Sequence, residues 1–449
     1  MVSVPAPVQR IAERLEGAGF ETWCVGGAVR DALLGHPHLD WDLATAATPS
    51  EVRRLFRRTV PVGVEFGTVG VLDEHGVMHE VTTFRRDVQT DGRHAVVEFG
   101  ASLDDDLSRR DFTINAIAVS PLSGEVRDPF GGREDMERRV VRAVGDADER
   151  MREDRLRALR AIRFAARLGF EIDPVTWGAV VRSAPHLGRL SRERVKQEIE
   201  KTVEQVRCPS RAFALWRDSG ALAALVPALA GQSPVAFASA DQVPLPGASG
   251  RAERADARRA QRIASLFLDL PAREVRAALE GLRFSNADVR TMTRLGERWE
   301  TLFGPLSAAV AEATRPSDAT IRGWAAATGR TQLAPFLRLA AARWSASRAA
   351  GLAAPSQAQA RSLYRRALLI AYRDPVELAD LAVDGEDLQR EGIARGPLLG
   401  KILRGLLAWV VEDPARNAPD RLLARARDLA RELPDRDNAH TSGTPDDTR

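Results

Sequence analysis

Strand-forming runs are confined to the first third of this 449-residue chain. Between residues 20 and 145, short β-type runs alternate with helical ones. Thr22–Val25, Val60–Val64, Thr68–Leu72 and Val77–Thr83 read as strands, with Gly67 and the Asp73–Gly76 turn between them. Pro49–Phe56 reads as a short helix capped by Thr48. Beyond residue 146 strand signals almost vanish. Arg150–Leu168, Arg192–Gln205, Ser210–Ser219, Arg273–Leu282, Asn286–Leu302, Gln357–Tyr372 and Gly396–Val411 all carry helical periodicity. Such an order does not build an interleaved βαβ protein. It predicts an α+β chain, a small sheet-bearing head followed by helices throughout. Residues 231–260, rich in Ala, Ser, Pro and Gly, read as a loop or linker, and residues 434–449 as a disordered tail.

Composition excludes several classes. No run approaches 18 apolar residues, so no membrane span is expected, and the first ten residues lack the apolar core of a signal peptide. Cys24 and Cys208 are the two cysteines, which excludes a disulfide scaffold and suits the cytoplasm; both read as buried small apolar residues. Of 65 Lys and Arg, three are lysines, Lys196, Lys201 and Lys401. Net charge is +3, weak evidence of a polyanionic partner, but residues 150–211 alone carry net +7, leaving −4 elsewhere. That band is either an electrostatic footprint for nucleic acid or a solvated helix surface.

Residues 24–42 carry the most chemistry. A strand-like run ends in Gly26 and Gly27, whose backbone can approach phosphates closely for want of a Cβ. A helix-like run, Ala28–Leu34, carries Arg30, and a second strand-like stretch presents Asp40 and Asp42 one residue apart. Side chains at i and i+2 of a strand point the same way, so this pair is expected to face one point. A phosphate cradle beside paired carboxylates is equipment for two-metal phosphoryl or nucleotidyl transfer. Glu80, on a neighbouring strand, offers a third hard oxygen ligand or is an ordinary strand residue.

Two further stretches stand out. Asp104–Ala118 includes Arg109-Arg110-Asp111 and Asn115, leading into an apolar helix start. Its arginines could fork onto phosphate or ribose oxygens; an acidic helix N-terminus is the other reading. In Glu153–Phe164, Asp154, Arg157, Arg160 and Arg163 recur every three residues and form a slowly winding band on a helix. An Asp beside an Arg can offer acceptor and donor to the Watson–Crick edge of a base, or the band is a salt-bridged exposed face.

These four elements stand in one order over about 135 residues. The arrangement closely resembles the class II tRNA nucleotidyltransferase and poly(A) polymerase family of bacterial-type CCA-adding enzymes, strongly over residues 5–230. The resemblance implies a head with a mixed sheet at 1–145, a nucleotide-selecting helical neck at 146–206, an RNA-binding body at 207–330 and a helical tail at 331–433. It implies that Gly26, Gly27, Arg30 and Arg110 bind the incoming nucleotide. Asp40 and Asp42 would bind two Mg²⁺ ions, with Glu80 at the third catalytic carboxylate position. Asp154, Arg157, Arg160 and Arg163 would form the nucleotide site of the neck, the first two reading the base. Ser191–Glu198 resembles the motif that closes it.

Many relatives carry a fused His-Asp phosphohydrolase domain. Here the corresponding segment is Ser265–Leu270, with a leucine in place of the histidine, and of 7 histidines only His440 lies beyond His186. A His-dependent metal site in the body is therefore not expected. Thr83–His94 resembles the flexible loop that lets CCA-adding enzymes switch from CTP to ATP. The implied activity is template-independent CCA addition to the tRNA 3′ end. A-only or CC-only addition and poly(A) synthesis are alternatives within the family, and a non-catalytic RNA-binding protein on a decayed head is the alternative outside it.

Overall fold

The computed structural model describes residues 2–36, 40–90, 95–246, 250–312 and 315–432, those at 87–90 and 95–98 by backbone alone. The expected disordered tail and His440 lie outside them. The chain divides into two units, residues 1–232 with 278–284, and residues 233–277 with 285–449.

The first unit opens with α1 (Ala6–Glu16), β1 (Thr22–Val25), α2 (Gly27–Leu33), β2 (Asp42–Thr45) and α3 (Pro49–Leu55). There follow β3 (Thr59–Gly63), β4 (Thr68–Leu72), β5 (Met78–Thr83), the ribbon β6 (Arg85–Thr90) and β7 (Ala95–Phe99), and α4 (Leu103–Ser108). Short pieces come next: β8 (Ala118–Val119), β9 (Val126–Arg127), α5 (Gly132–Glu137) and β10 (Val140–Val141). The rest is almost wholly helical: α6 (Ala147–Glu153), α7 (Leu156–Leu168), the two-residue β11 (Glu171–Ile172), α8 (Pro174–Ser183), α9 (Arg192–Gln205), α10 (Pro209–Asp218), α11 (Ala221–Leu225) and α12 (Pro227–Ala230).

Seven strands form one mixed sheet in the order β3-β4-β5-β2-β1-β8-β9, with β2 and β5 parallel and the other pairs antiparallel. Val25, Ala44, Phe84, Leu107, Ala116 and Ala118 pack a core against it. Thr48 caps the start of α3, as the sequence suggested, and does so in a reciprocal capping box with Glu51.

The second unit holds α13 (Pro234–Gln242), α14 (Arg251–Phe267), most of α15 (Ala272–Gly281), α16 (Asn286–Ala311), α17 (Asp318–Thr328), α18 (Arg330–Ala349), α19 (Gln357–Arg373), α20 (Gly385–Arg390), α21 (Pro397–Glu412) and α22 (Pro419–Glu432). Arg322, buried on α17, donates to the last carbonyls of α21, Val411 and Glu412, and pairs with Asp374. A cation there satisfies acceptors that a helix end leaves unpaired.

The structure corrects five expectations. Residues 231–260 hold α13 and the start of α14 rather than a loop, because alanine-rich sequence is helix-forming despite its prolines, and Pro234 sits at the first turn where its missing N–H costs nothing. Thr83–His94 runs into the β6–β7 ribbon through Thr90, and residues 91–94 lie outside the described ones. Asp111–Ala118 leads not into a helix but through a single 3₁₀ turn, Thr113–Asn115, into β8, where β1 captures the chain. Arg150–Leu168 is two helices broken at Asp154. Cys24 is buried, but Cys208 is exposed at the cap of α10. Among the described residues no helix is long and apolar enough to cross a membrane.

Candidate active site

The chemistry gathers at one end of β1, β2 and β5. Val25 pairs with Asp42 across the antiparallel β1–β2 ladder, and the parallel pairing of Leu43 with Val81 sets Glu80 beside Asp42 on the neighbouring strand. Asp40 precedes β2 rather than lying on it, since the strand begins at Asp42. Burial first, then the Asp40 and Glu80 carboxylates, push the Asp42 carboxyl up to about 7, against the pull of Arg110. Burial and Asp42 likewise push the Cys24 thiol up to about 12, so it is inert.

After β1 the chain turns at Gly26, φ +78°, a conformation that favours glycine. A Cβ there would stand 3.2 Å from Arg110 Nη1 and 3.7 Å from Asp42 Oδ2. The turn feeds α2, which carries Arg30 and Asp31 inward. Arg30 is buried, donating to Asp31 through Nε and Nη2 and to Asn115 Oδ1 through Nη1 at 2.6 Å. Burial pushes its guanidinium down from its ordinary value, partly offset by Asp31.

From Asn115 the network continues. Its Nδ2 donates to Asp111 Oδ1, and Asp111 Oδ2 accepts from Arg160 at 2.8 Å. Burial pushes the Asp111 carboxyl up, but Arg160 and Asn115 outweigh it and hold the group below the usual carboxylate range. Arg163 pairs with Glu198 at 2.5 Å and reaches Gln205, both on α9. Arg167 pairs with Asp31 at 2.8 Å. The guanidiniums of Arg30, Arg160 and Arg163 lie 5.0, 5.3 and 4.5 Å from the ring centroid of Phe164. Arg110 donates to buried Asp106, and its Nε is buried without a partner among the described residues.

These groups enclose a cavity of about 390 Å³. Its walls bring together Gly26, Gly27, Arg30, Asp40, Asp42, Arg110, Arg160 and Arg163 of the residues the sequence singled out; Glu80 is not in the walls, though its charge acts on Asp42. Asp154 and Arg157 are not in its walls. Asp154 sits at the break before α7, accepting from the Leu156 amide and from Arg194 on α9 at 2.7 Å. Arg157 donates to Glu153 at 2.5 Å and to the Arg109 carbonyl at 2.9 Å. Their side chains therefore do not pair with each other; each is held at the edge of the Arg110 loop or of α9.

Asp111, Asn115 and Glu198 act as anchors for the arginines, and Asp31, Arg167, Lys201 and Gln205 also bound or brace the cavity, roles that the sequence pattern alone does not assign. The spacing of Glu198, Lys201 and Gln205 at i, i+3 and i+7 on one helix face was the available signal.

The donor set suits a hard divalent cation: carboxylate oxygens only, with a buried carboxyl kept near neutrality by like charges that a cation would relieve. Among the described residues no three His, Cys, Asp or Glu side chains close into a preformed cage. Carboxylates at strand ends, a glycine turn without side chains and an arginine wall are the groups that nucleotidyl transfer requires.

Comparison with known proteins agrees. Residues 22–142 match the family described as "Poly A polymerase head domain", and residues 169–232 that described as "Probable RNA and SrmB- binding site of polymerase A". The chain is 36% identical over 417 residues to the CCA-adding enzyme of Geobacillus kaustophilus, covering 92% of this chain and 94% of that one. A shorter match to the enzyme of Leuconostoc mesenteroides is 52% identical over 195 residues, 43% of this chain and 48% of the other. The crystal structure of the Bacillus stearothermophilus CCA-adding enzyme in complex with CTP superposes with a TM-score of 0.74 at 31% identity, over 96% of this chain and 99% of that one. The chain belongs to the CCA-adding enzyme family of nucleotidyltransferases, a class dependent on divalent metal.

Proposed function

We propose that this protein adds C, C and A in turn to the 3′ end of tRNA in the cytoplasm, from CTP and ATP and without a template, releasing pyrophosphate. The observation that carries this reading is the single cavity with Asp40 and Asp42 on one side and Arg110, Arg160 and Arg163 on the other. It supports a nucleotide whose α-phosphate lies at the carboxylates and whose charge lies along the arginines. Two Mg²⁺ ions on Asp40 and Asp42, when bound, supply an activated 3′-hydroxyl and a clamp on the leaving pyrophosphate.

The chain's own residues do the rest. The Gly26–Gly27 backbone admits the triphosphate, since no Cβ intrudes. Arg110 offers an unpartnered Nε–H, and Arg160 and Arg163 present guanidiniums already aimed by Asp111 and Glu198. Arg30, fully tied to Asp31 and Asn115, positions the α2 turn. Asp154 and Arg157 read the base edge as acceptor and donor. This role asks Asp154 to share its carboxylate between Arg194 and a base. The head, neck, body and tail divide at residues 145, 206 and 330. The reading includes no His-Asp phosphohydrolase site in the body; the pairing of Asp269 with Arg343 through both carboxylate oxygens at 2.7 Å supports this.

The test uses tRNA transcripts ending before the first C, after one C and after CC, incubated with Mg²⁺ and CTP, ATP or both. Growth to CCA and no further on all three supports the reading. Extension of the CC-ending transcript alone would make this an A-adding enzyme, and a long adenylate ladder a poly(A) polymerase.

A further inference from the structure

Among the described residues six cations stand in the walls of the active-site cavity, and five of them hold a carboxylate. Arg30 and Arg167 hold Asp31, Arg110 holds Asp106, Arg160 holds Asp111 and Arg163 holds Glu198. The sixth, Lys201, is exposed on α9, and among the described residues it takes part in no ion pair or side-chain hydrogen bond. Its place follows from helical spacing. Arg194, Glu198, Lys201 and Gln205 fall at i, i+4, i+7 and i+11 of α9 and so share one face. Arg194 meets Asp154, and Glu198 and Gln205 both meet Arg163. Lys201, between the last two, adds its charge to the cavity wall without a partner. Lys196, off this face, pairs with Glu200 at 3.8 Å.

Position along the helix assigns Lys201 to one end of a bound nucleotide. The contact of Arg194 with Asp154 marks the end at which the base is read. Lys201 stands seven residues further on, about 10 Å at a rise of 1.5 Å per residue, toward the triphosphate end. Its chemistry differs from that of its neighbours. Guanidiniums fixed by carboxylates suit groups that stay in place, whereas an ammonium on a flexible four-carbon stem can follow a group that moves. We propose that the Lys201 ammonium receives the terminal phosphate of the incoming nucleotide and stays with it in the leaving pyrophosphate. It thereby favours a triphosphate over a diphosphate, for CTP and ATP alike. As the 3′-oxygen bonds to the α-phosphorus, the bond to the α–β bridging oxygen breaks and its electron pair leaves with pyrophosphate. Lys201 keeps its proton and neutralises charge on that leaving group. The proposal rests on the nucleotidyl-transfer reading above, but not on which nucleotides are added.

The test is calorimetric titration of the full-length protein, in Mg²⁺ and without RNA, with CTP, CDP and pyrophosphate, for wild type, K201Q and K201R. K201Q is expected to lose roughly 5- to 20-fold in affinity for CTP and for pyrophosphate, the worth of one charged hydrogen bond at an open site. Its affinity for CDP should stay within about twofold of wild type, which also reports an intact fold, and K201R should keep most of the CTP affinity. In steady-state assays KM for CTP and for ATP should rise together while KM for tRNA holds. An equal loss for CTP and CDP, or no loss for either, overturns the proposal. Wild type that binds CTP and adds nucleotides while K201Q matches it in every arm removes the role of Lys201 alone. Wild type that binds neither CTP nor ATP sinks the proposed activity and this role with it.

Discussion

Asp42 is the carboxylate on which both Asp40 and Glu80 act, and removing it separates chemistry from folding. Asp42→Ala should abolish incorporation of CMP and AMP alike, while the melting temperature holds or rises, because a crowded buried carboxyl is lost. A gel assay with a parallel thermal melt checks both halves. Asp111 behaves oppositely. Its carboxyl lies below the usual range in the folded protein, so its contribution is complete above the unfolded value near 4 and is lost as pH falls through the folded value. Asp111→Asn should therefore cost about 2 to 3 kcal/mol at pH 7, less than a fully buried pair because Arg160 keeps some exposure. Denaturant melts from pH 7 down to pH 3 should show the gap to wild type constant above pH 5 and closing below pH 4.

At the scale of elements, α9 braces what lies across from it: Glu198 and Gln205 hold Arg163 of α7, and Arg194 holds Asp154 at the break before α7. Arg157→Ala breaks no contact with α9, so it should leave the cavity intact and blur nucleotide choice. The ratio of CMP to AMP added to a CC-ending transcript should rise severalfold, and a ratio equal to wild type would remove its base-reading role. The sheet, the Gly26 turn and α9 were legible because glycine punctuation, β-branched runs and helical periodicity are local signals. The break at Asp154 was legible in principle, since an aspartate that accepts from the amide two residues on is a stop-and-start signal. A run of charged, helix-favouring residues on both sides concealed it. The partners of the arginines were not legible. Asp31 meets Arg167, and Asp111 meets Arg160, across 136 and 49 residues, and only the closed fold brings them together.

For the whole molecule, the cavity walls belong entirely to the first unit. Saturating CTP with Mg²⁺ should slow hydrogen exchange in α2, α7 and α9 and leave the helices of the second unit unchanged. Peptide-resolved exchange measures this. The anchored arginines have a last consequence, for the temperature response of the enzyme. An arginine free in solution loses much rotational freedom when it grips a phosphate, of order 0.5 to 1.5 kcal/mol per side chain. Here Asp111 and Glu198 have already removed that freedom from Arg160 and Arg163 when the chain folds. Nucleotide capture is left with a small ordering entropy, so the free energy of CTP binding should change only gently on warming until the first unit itself begins to melt.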